Sequence, residues 1–349
     1  MAVVSPFRFI QALHKQAVDR PPVWIMRQAG RYLPEYQELR QQTEDFISFC
    51  KNPLLCTKAA ILPIEKYDLD AAIVFSDILV VPDAMGIKLS FVQHEGPVIS
   101  DPIRTLQDVA RLRNINAATD LDYVLQAINL TKQQLDNSRP LIGFIGSPWT
   151  LAAYMVEGSS SKQFSHLRRM LYTSPTVLHQ LLEVLTTNLI DFIEQQIAAG
   201  VDALQIFDSW AGLLNKECYV DFSLRYIKKI IHAIKIKYPQ IPIIVFAKNN
   251  GNWIKEIVNT NCDALSLDWQ TDIAEVKDNF GDQIVIQGNL DPCVLYASKQ
   301  VIEQQTLKIL DLFNNHKGFV FNLGHGIYPD VPPENVSYML NVIRNYAHR

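Results

Sequence analysis

The chain has 349 residues, of which 48% are apolar and 19% are charged, and its formal net charge at pH 7 is -4. This composition is typical of a globular protein that buries a substantial core. The negative net charge argues against a broad nucleic-acid-binding surface, because such a surface needs clustered Lys and Arg. A polyanionic ligand would therefore need a locally basic pocket.

The cysteines and the N-terminal stretch indicate the compartment. The five cysteines form no C-x-x-C pair, so neither a disulfide framework nor a zinc ribbon is indicated. The apolar stretch at the N-terminus is short and is broken by Pro6 and Arg8, unlike a signal peptide. No window offers the roughly 18 consecutive apolar residues of a membrane helix. We expect an untargeted protein of the reducing cytoplasm.

The first predicted strand covers residues 23–26 (VWIM) and stops at Arg27, with Gly30 and Arg31 following. The glycine lets the backbone bend close to a ligand, so both guanidinium groups can point at one anion. The spacing is equally compatible with an ordinary strand exit that leaves two arginines at the solvent edge. The residues alone leave both interpretations open.

Seven further apolar runs follow, each rich in β-branched or aromatic residues and each ending at a polar or small residue. They are AAIVF (71–75), LIGFI (141–145), ALQIF (203–207), IPIIVFA (241–247), DALSL (263–267), IVIQ (284–287) and FVF (319–321). Continuous runs of this kind are typical of parallel strands buried on both faces.

Helical spacing of apolar residues predicts helices over 177–200, 222–238, 294–313 and 334–346. Residues 101–138 also look helical and contain no strand candidate, which indicates an excursion between the second and third strands. The alternation predicts a single α/β domain over residues 1–349, a (β/α)₈ TIM-type barrel with additional helices. A doubly wound open sheet fits the same periodicity and is the second choice.

Polar residues follow several strands, at the end of a barrel where reactive groups lie. Asp77 follows the second strand and would either cap the next turn or face a ligand. Ser209 lies outside any G-x-S-x-G motif, so we do not interpret it as a nucleophile. His325 stands between two glycines in a loop. Tyr154, early in a predicted helix, is a candidate that would more often be a core residue.

Five blocks of the chain, in this order, resemble the uroporphyrinogen decarboxylase family. They are PPVWIMRQAGRYLPEY, FSDILVVPDAMG, GFIGSPWTLAAYMVEG, QGNLDPCVLY and FNLGHGIYPD. The resemblance covers nearly the whole chain and implies a single barrel that forms a homodimer. It implies cofactor-independent decarboxylation of the four acetate side chains of uroporphyrinogen III to methyls, giving coproporphyrinogen III in haem biosynthesis. No cofactor, metal, membrane or nucleic acid is expected.

The resemblance also implies a set of substrate-binding residues: Arg27, Arg31, Asp77, Tyr154, Ser209 and His325. Asp77 would bind the pyrrole N–H groups of the tetrapyrrole and, with Arg27, would act in catalysis. The pyrrole itself can serve as the electron sink that a cofactor usually supplies. Which group is the general acid stays open.

Two other functions are kept as alternatives. A corrinoid-dependent methyltransferase of the related barrel family would bind zinc through His and Cys ligands late in the chain. Cys262 and Cys293 are present there, but no His-x-Cys pair accompanies them. A barrel that binds a tetrapyrrole without turning it over is the other alternative, and the intact candidate residues argue against it.

Overall fold

The computed structural model describes residues 5–92, 96–159, 161, 163–249, 251–313 and 317–346. Seven of the strands in this part of the chain form one parallel sheet in the order β1-β4-β5-β6-β7-β8-β9, and β2 and β3 form a separate antiparallel hairpin. Their bounds are β1 (Ala72–Ile73), β2 (Leu89–Val92), β3 (Gly96–Ile99), β4 (Leu141–Gly146), β5 (Ala203–Asp208), β6 (Ile243–Ala247), β7 (Ala264–Leu267), β8 (Val285–Leu290) and β9 (Phe319–Leu323).

The segment at Val23 lies between the two edges of the parallel sheet. Val23 forms a parallel bridge with Phe321 of β9, and the Phe321 N–H donates to the Pro22 carbonyl at 2.8 Å. On its other side, the N–H of Asp70 donates to the Val23 carbonyl at 3.0 Å, just before β1. The segment thus takes the place of the eighth strand, and the predicted (β/α)₈ TIM-type barrel is confirmed.

The strand predicted over 23–26 therefore lies in the expected place, but the segment is not a regular strand. The Met26 N–H donates to the Asn322 side chain at 2.9 Å instead of to a neighbouring strand, and Arg27 then adopts a left-handed conformation with φ 64°. The second predicted strand is shorter than expected, since only residues 72 and 73 of 71–75 form β1. The hairpin β2–β3 was not predicted, because its strands are short and mix polar with apolar residues.

Helices follow most strands and pack outside the sheet. Those in the described residues are α1 (Arg8–Leu13), α2 (Pro34–Arg40), α3 (Phe46–Cys50), α4 (Pro53–Tyr67), α5 (Val80–Ala84), α6 (Leu106–Ala110), α7 (Ala117–Asp120), α8 (Asp122–Leu135), α9 (Pro148–Glu157), α10 (Ser165–Thr173), α11 (Pro175–Ala198), α12 (Lys216–Tyr219), α13 (Arg225–Lys237), α14 (Ile254–Val258), α15 (Ile273–Phe280), α16 (Lys299–Leu312) and α17 (Pro333–Asn345). None of these helices is long and apolar enough to cross a membrane.

The long predicted helices are found at α11, α13, α16 and α17. A π-helical turn over Val220–Leu224 precedes α13, and a 3₁₀ turn over Pro292–Tyr296 takes the first part of the helix predicted at 294–313. The excursion over 101–138 contains α6, α7 and α8 and no strand, as predicted.

Two groups of buried apolar side chains form the core. The larger lies between the sheet and the outer helices. The smaller includes Ile142, Ile244 and Phe246, which alternate with outward-facing residues along their strands, together with Phe9 and Leu13 of α1. Because strand side chains alternate between the two faces of a sheet, this second group fills the barrel interior, and α1 closes one end of it.

Candidate active site

All six predicted site residues lie at or beyond the carboxyl ends of barrel strands, where parallel strands present their loops to a common mouth. Arg27 and Arg31 follow the Val23 segment, Asp77 follows β1, Tyr154 lies on α9 after β4, Ser209 follows β5, and His325 follows β9. The six residues therefore lie at the end of the barrel where the sequence predicts them. Their contacts show which of the side chains come together.

Arg27 lies at the centre of the group. Its side chain runs along Gly326, where an added Cβ would come within 2.3 Å of the Arg27 Cδ and 2.8 Å of its Nε. Gly326 is thus required for the arginine to lie there. The exposed guanidinium has no ion-pair partner among the described residues, and its charge acts on Asp77, Tyr154 and His325.

Arg31 is also exposed, but it stands apart from that group. Its backbone carbonyl accepts a hydrogen bond from the Gln37 side chain at 2.6 Å. Its charge acts on the hydroxyl of Tyr36, whose pKa burial raises to about 12 while Arg40 and Arg31 oppose the rise. That the two guanidinium groups point at one anion stays a prediction.

Asp77 fills one of the two roles that the sequence left open, the capping of the next turn. Its Oδ1 accepts the Leu79 N–H at 2.8 Å and so caps the turn that leads into α5. Burial raises the pKa of the carboxyl group, and the Leu79 N–H and the Arg27 charge oppose the rise. The Oδ2 atom has no hydrogen-bond partner within the described part of the chain, so one carboxylate oxygen is available to a ligand.

Tyr154 is half-buried beside Trp210, with ring centroids 6.0 Å apart and the rings nearly perpendicular. Burial raises the pKa of the phenol, so the hydroxyl stays protonated at neutral pH. A side-chain hydrogen bond with Trp210 opposes the rise in the Tyr154 pKa. The Ser209 hydroxyl has no protein hydrogen-bond partner among the described residues and is free to bond a ligand.

A buried carboxylate that the sequence analysis did not select holds this side of the mouth together. Asp208, at the end of β5, accepts hydrogen bonds from the hydroxyls of Ser147 (2.7 Å), Thr150 (3.0 Å) and Ser223 (2.6 Å). Burial raises its pKa, and the three hydroxyl donors oppose the rise. Because two of the donors belong to the first turn of α9 and its N-cap, Asp208 positions α9 relative to Ser209.

His325 is half-buried between aromatic rings, 6.2 Å from Phe246 and 5.8 Å from Trp269 measured between centroids. Burial, followed by the charges of Arg27 and Lys248, lowers its pKa to about 4. The imidazole is consequently neutral at physiological pH and is suited to hydrogen bonding.

Lys248 and Trp269 were missed by the sequence analysis. Lys248 directly follows β6, and its ammonium lies 5.7 Å from the centre of the Trp269 ring. A lysine directly after a strand is typical of a chain that turns out to solvent. No local sequence pattern indicates that Trp269 is its neighbour. Only the order of the strands in the sheet brings the two together.

The late cysteines do not form a metal site. Cys262 is buried just before β7, at the amino end of the strands, whereas Cys293 is exposed just after β8, at the carboxyl end. Since the strands are parallel, the two thiols lie at opposite ends of the barrel. No group of three or more His, Cys, Asp or Glu side chains in the described residues is arranged to hold a metal ion.

Comparisons with known proteins show what the whole chain is similar to. The family model for uroporphyrinogen decarboxylase matches residues 5–346. The chain is 48% identical to a uroporphyrinogen decarboxylase of Ruthia magnifica subsp. Calyptogena magnifica, over 98% of this chain and 99% of that protein. It is also 48% identical to a uroporphyrinogen decarboxylase of Coxiella burnetii, over 97% of this chain and 95% of that protein.

A solved structure has the same fold. A methyltransferase from Methanosarcina mazei superposes with a TM-score of 0.81, over 97% of this chain and 98% of that one, at 20% sequence identity. At that identity the likeness establishes the barrel and carries no argument about the reaction.

Proposed function

The chain belongs to the uroporphyrinogen decarboxylase family, and we propose that its mouth decarboxylates the four acetate side chains of uroporphyrinogen III to give coproporphyrinogen III. The family makes the protein a carboxy-lyase of tetrapyrrole synthesis. The observation that carries the assignment to this site is the position of Arg27, whose side chain lies against Gly326 beside His325 and whose charge acts on Asp77, Tyr154 and His325.

Binding of a substrate with eight carboxylates is the first task of the site. The exposed guanidinium groups of Arg27 and Arg31 have no carboxylate partner in the described residues, so substrate carboxylates can accept charge-assisted hydrogen bonds from them without displacing a protein group. Their planar donor forks match carboxylate geometry. We assign to both the anchoring of the substrate's acid side chains.

The chemical step needs an electron sink, which a pyrrole ring can provide. Protonation of the pyrrole α-carbon next to the ring carbon that bears the acetate gives an iminium-like cation, whose positive charge is shared by the carbon that bears the acetate. The electrons of the bond between the methylene and the carboxylate then flow into the ring, and carbon dioxide leaves. A proton added to the methylene carbon gives the methyl group, and loss of the first proton restores the pyrrole. The net change is one acetate and one proton converted to one methyl and one carbon dioxide.

Asp77 is suited to stabilise that cation. In the free protein, burial disfavours its charged form. Pyrrole N–H groups donating to the available Oδ2 would favour the anion, and the positive charge that develops in the transition state would favour it further. We therefore give Asp77 the role of an anion facing the pyrrole nitrogens, with its geometry already fixed by the hydrogen bond from Leu79.

The remaining residues orient the substrate. Tyr154 and Ser209 offer hydroxyls, and the neutral imidazole of His325 offers one donor and one acceptor. A guanidinium does not readily lose a proton at neutral pH. Arg27 would therefore assist proton delivery through a bound water or a substrate carboxyl group that it holds.

We further propose that the whole chain folds as one domain, that two copies associate, and that the protein works in the cytoplasm without a cofactor. The five thiols are unpaired, which fits a reducing compartment. Light scattering after size-exclusion chromatography tests the dimer, and a mass of about one chain, 39.7 kDa, would contradict it.

The experiment for the function uses purified wild-type protein dialysed against a chelator. The protein is incubated anaerobically with uroporphyrinogen III, and the oxidised products are separated by carboxylate number. We expect intermediates from eight carboxylates down to four. If the substrate stays unchanged while the protein is folded and the tetrapyrrole reduced, the proposed function is wrong.

A further inference from the structure

Lys248 is held rigidly at the mouth by the strands on both sides of β6. Its N–H donates to the carbonyl of Asp208 at the end of β5, at 3.2 Å. The next residue, Asn249, donates its N–H to Asp268 at 2.5 Å, just beyond β7. The backbone that carries this ammonium is therefore fixed before any ligand arrives.

The turn that carries Trp269 is equally well fixed. The buried Asn289 side chain of β8 donates to the carbonyls of Asp268 and Thr271, both at 2.8 Å. Close packing of Gly324 against the backbone of Trp269 ties the turn to the loop of His325, since a Cβ at Gly324 would lie 2.2 Å from the Trp269 nitrogen. The Trp269 ring thus presents a face to the Lys248 ammonium and lies perpendicular to the imidazole of His325.

Lys248 differs from the other half-buried lysines of the described residues, which bind oxygen. In each of those four the ammonium has a protein oxygen within 3.3 Å: Lys15 to the carbonyl of Asp282, Lys132 to Asp202, Lys235 to Asp263 and Lys277 to Asp278. The ammonium of Lys248 contacts the Trp269 ring and no oxygen in the described part of the chain. A half-buried ammonium normally needs an anionic or hydrogen-bonding partner.

The surroundings point to an anion from outside the chain. Lys248 and Arg27 both act on the His325 imidazole, so the two cations lie on different strands around the same histidine. Arg27, Arg31 and Lys248 carry three positive charges at the mouth. The buried carboxylates nearby, Asp208 and Asp268, already accept protein hydrogen bonds on both oxygens, and only one oxygen of Asp77 lacks a donor among the described residues. A substrate bearing several carboxylates would supply the missing negative charge.

We propose that Lys248 binds a carboxylate of the tetrapyrrole substrate, with the Trp269 ring supporting its ammonium, on the side of the mouth formed by β6, β7 and β9. This inference rests on the proposed function and adds a substrate contact to it. Lys248 would act together with Arg27 on side chains at different edges of one macrocycle, and so would fix its orientation around the barrel axis.

The test compares Lys248→Met, which keeps much of the length and removes the charge, with Lys248→Arg, which keeps the charge. The matched control is Lys228→Met, because Lys228 is exposed on the outer helix α13. Two quantities are measured anaerobically: KM for uroporphyrinogen III and the inhibition constant of coproporphyrinogen III. Loss of a charge-assisted hydrogen bond is expected to raise KM about tenfold in Lys248→Met. kcat is expected to change much less, and Lys248→Arg should recover most of the loss.

The pattern of effects identifies the carboxylate. If KM and the inhibition constant both rise, the contact is to a propionate, which the product retains. If KM alone rises, the contact is to an acetate, which the product has lost. Equal values for Lys248→Met, Lys228→Met and the wild type would overturn the inference. If the wild type fails to convert uroporphyrinogen III, the proposed function is wrong, and equilibrium binding of that tetrapyrrole to the same variants still decides the Lys248 contact.

Discussion

At the amino end of the barrel, charged groups are paired in a repeated arrangement. An aspartate just before one strand accepts the first N–H of the preceding strand segment and also forms an ion pair with a basic side chain. The three cases are Asp70 with the Val23 N–H and Arg20, Asp202 with the Leu141 N–H and Lys132, and Asp263 with the Ile243 N–H and Lys235, all at 2.7–2.8 Å.

The carboxyl end follows the opposite rule. Arg27, Arg31 and Lys248 have no carboxylate partner among the described residues, and Asp77 keeps one oxygen without a protein donor. Arg27 also takes a left-handed backbone conformation, φ 64°, which costs a non-glycine residue about 1 kcal/mol. Where charges are paired with each other they stabilise the fold, and where they are left unpaired on fixed backbone they are available to a ligand.

The largest expected effect is a loss of activity on changing an unpaired group at the carboxyl end of the barrel. Asp77→Asn keeps the size of the side chain and removes the anion, so we expect kcat/KM for uroporphyrinogen III to fall about 10³-fold. The fold should survive, since an uncharged side chain is easier to bury. Asp83→Asn is the matched control, because Asp83 is paired with Lys51 at 2.8 Å on α5. Parental activity in Asp77→Asn would disprove the electrostatic role of this residue.

The second prediction is a loss of stability on changing a paired charge at the amino end of the barrel. Asp70 is 5% exposed and bridges Arg8 and Arg20. Asp70→Asn leaves both guanidinium groups without their shared anion, so the free energy of unfolding should drop by about 3 kcal/mol in urea denaturation. Activity per folded molecule should be retained. If the variant is as stable as the wild type, or is folded but inactive, the structural role given to Asp70 is wrong.

A smaller loss is expected where the same arrangement is more exposed. Asp202 and Asp263 are 26% and 27% exposed, and each pairs with one flexible lysine. Asp202→Asn and Asp263→Asn should therefore each lower the free energy of unfolding by about 1 kcal/mol. Differential scanning calorimetry of these two variants and of Asp70→Asn measures the three losses side by side. Equal losses in all three would mean that burial of the aspartate does not determine how much stability is lost.

The last variant prediction concerns the dependence of stability on pH. The pKa of His325 is about 4 in the folded protein, against about 6.5 in an unfolded chain. Between those values the unfolded state binds more protons, so this histidine makes stability fall as the pH is lowered through that window. His325→Gln should flatten the decline between about pH 6.5 and pH 4 by at most about 1.4 kcal/mol per pH unit, and by less because the side chain is half-exposed.

Urea unfolding at several pH values measures that slope. His232→Gln, at an exposed position on α13, serves as the control. An unchanged slope in His325→Gln would mean that His325 carries an ordinary pKa, and the picture of two cations acting on it would then be wrong.

The sequence predicted much of the fold because its strands are buried on both faces and read as continuous apolar runs. It placed Asp77 and His325 at the mouth because the ends of parallel strands meet there. It missed Lys248 beside Trp269, because that contact depends on which strands are neighbours. The pairing of Asp70 with Arg20 and Val23 depends on register and chain closure, and no local pattern signals it.

The most direct test of the contrast between the two ends is urea denaturation of a matched pair, Arg20→Met and Arg27→Met. Both substitutions remove one guanidinium from a long side chain, at the paired amino end and at the unpaired mouth respectively. We expect Arg20→Met to lose about 2 kcal/mol of stability, because Asp70 loses a buried partner. Arg27→Met should stay within about 0.5 kcal/mol of the wild type, as is usual for surface positions. Equal destabilisation by the two substitutions would contradict the account, since Arg27 would then serve the fold as much as Arg20 does.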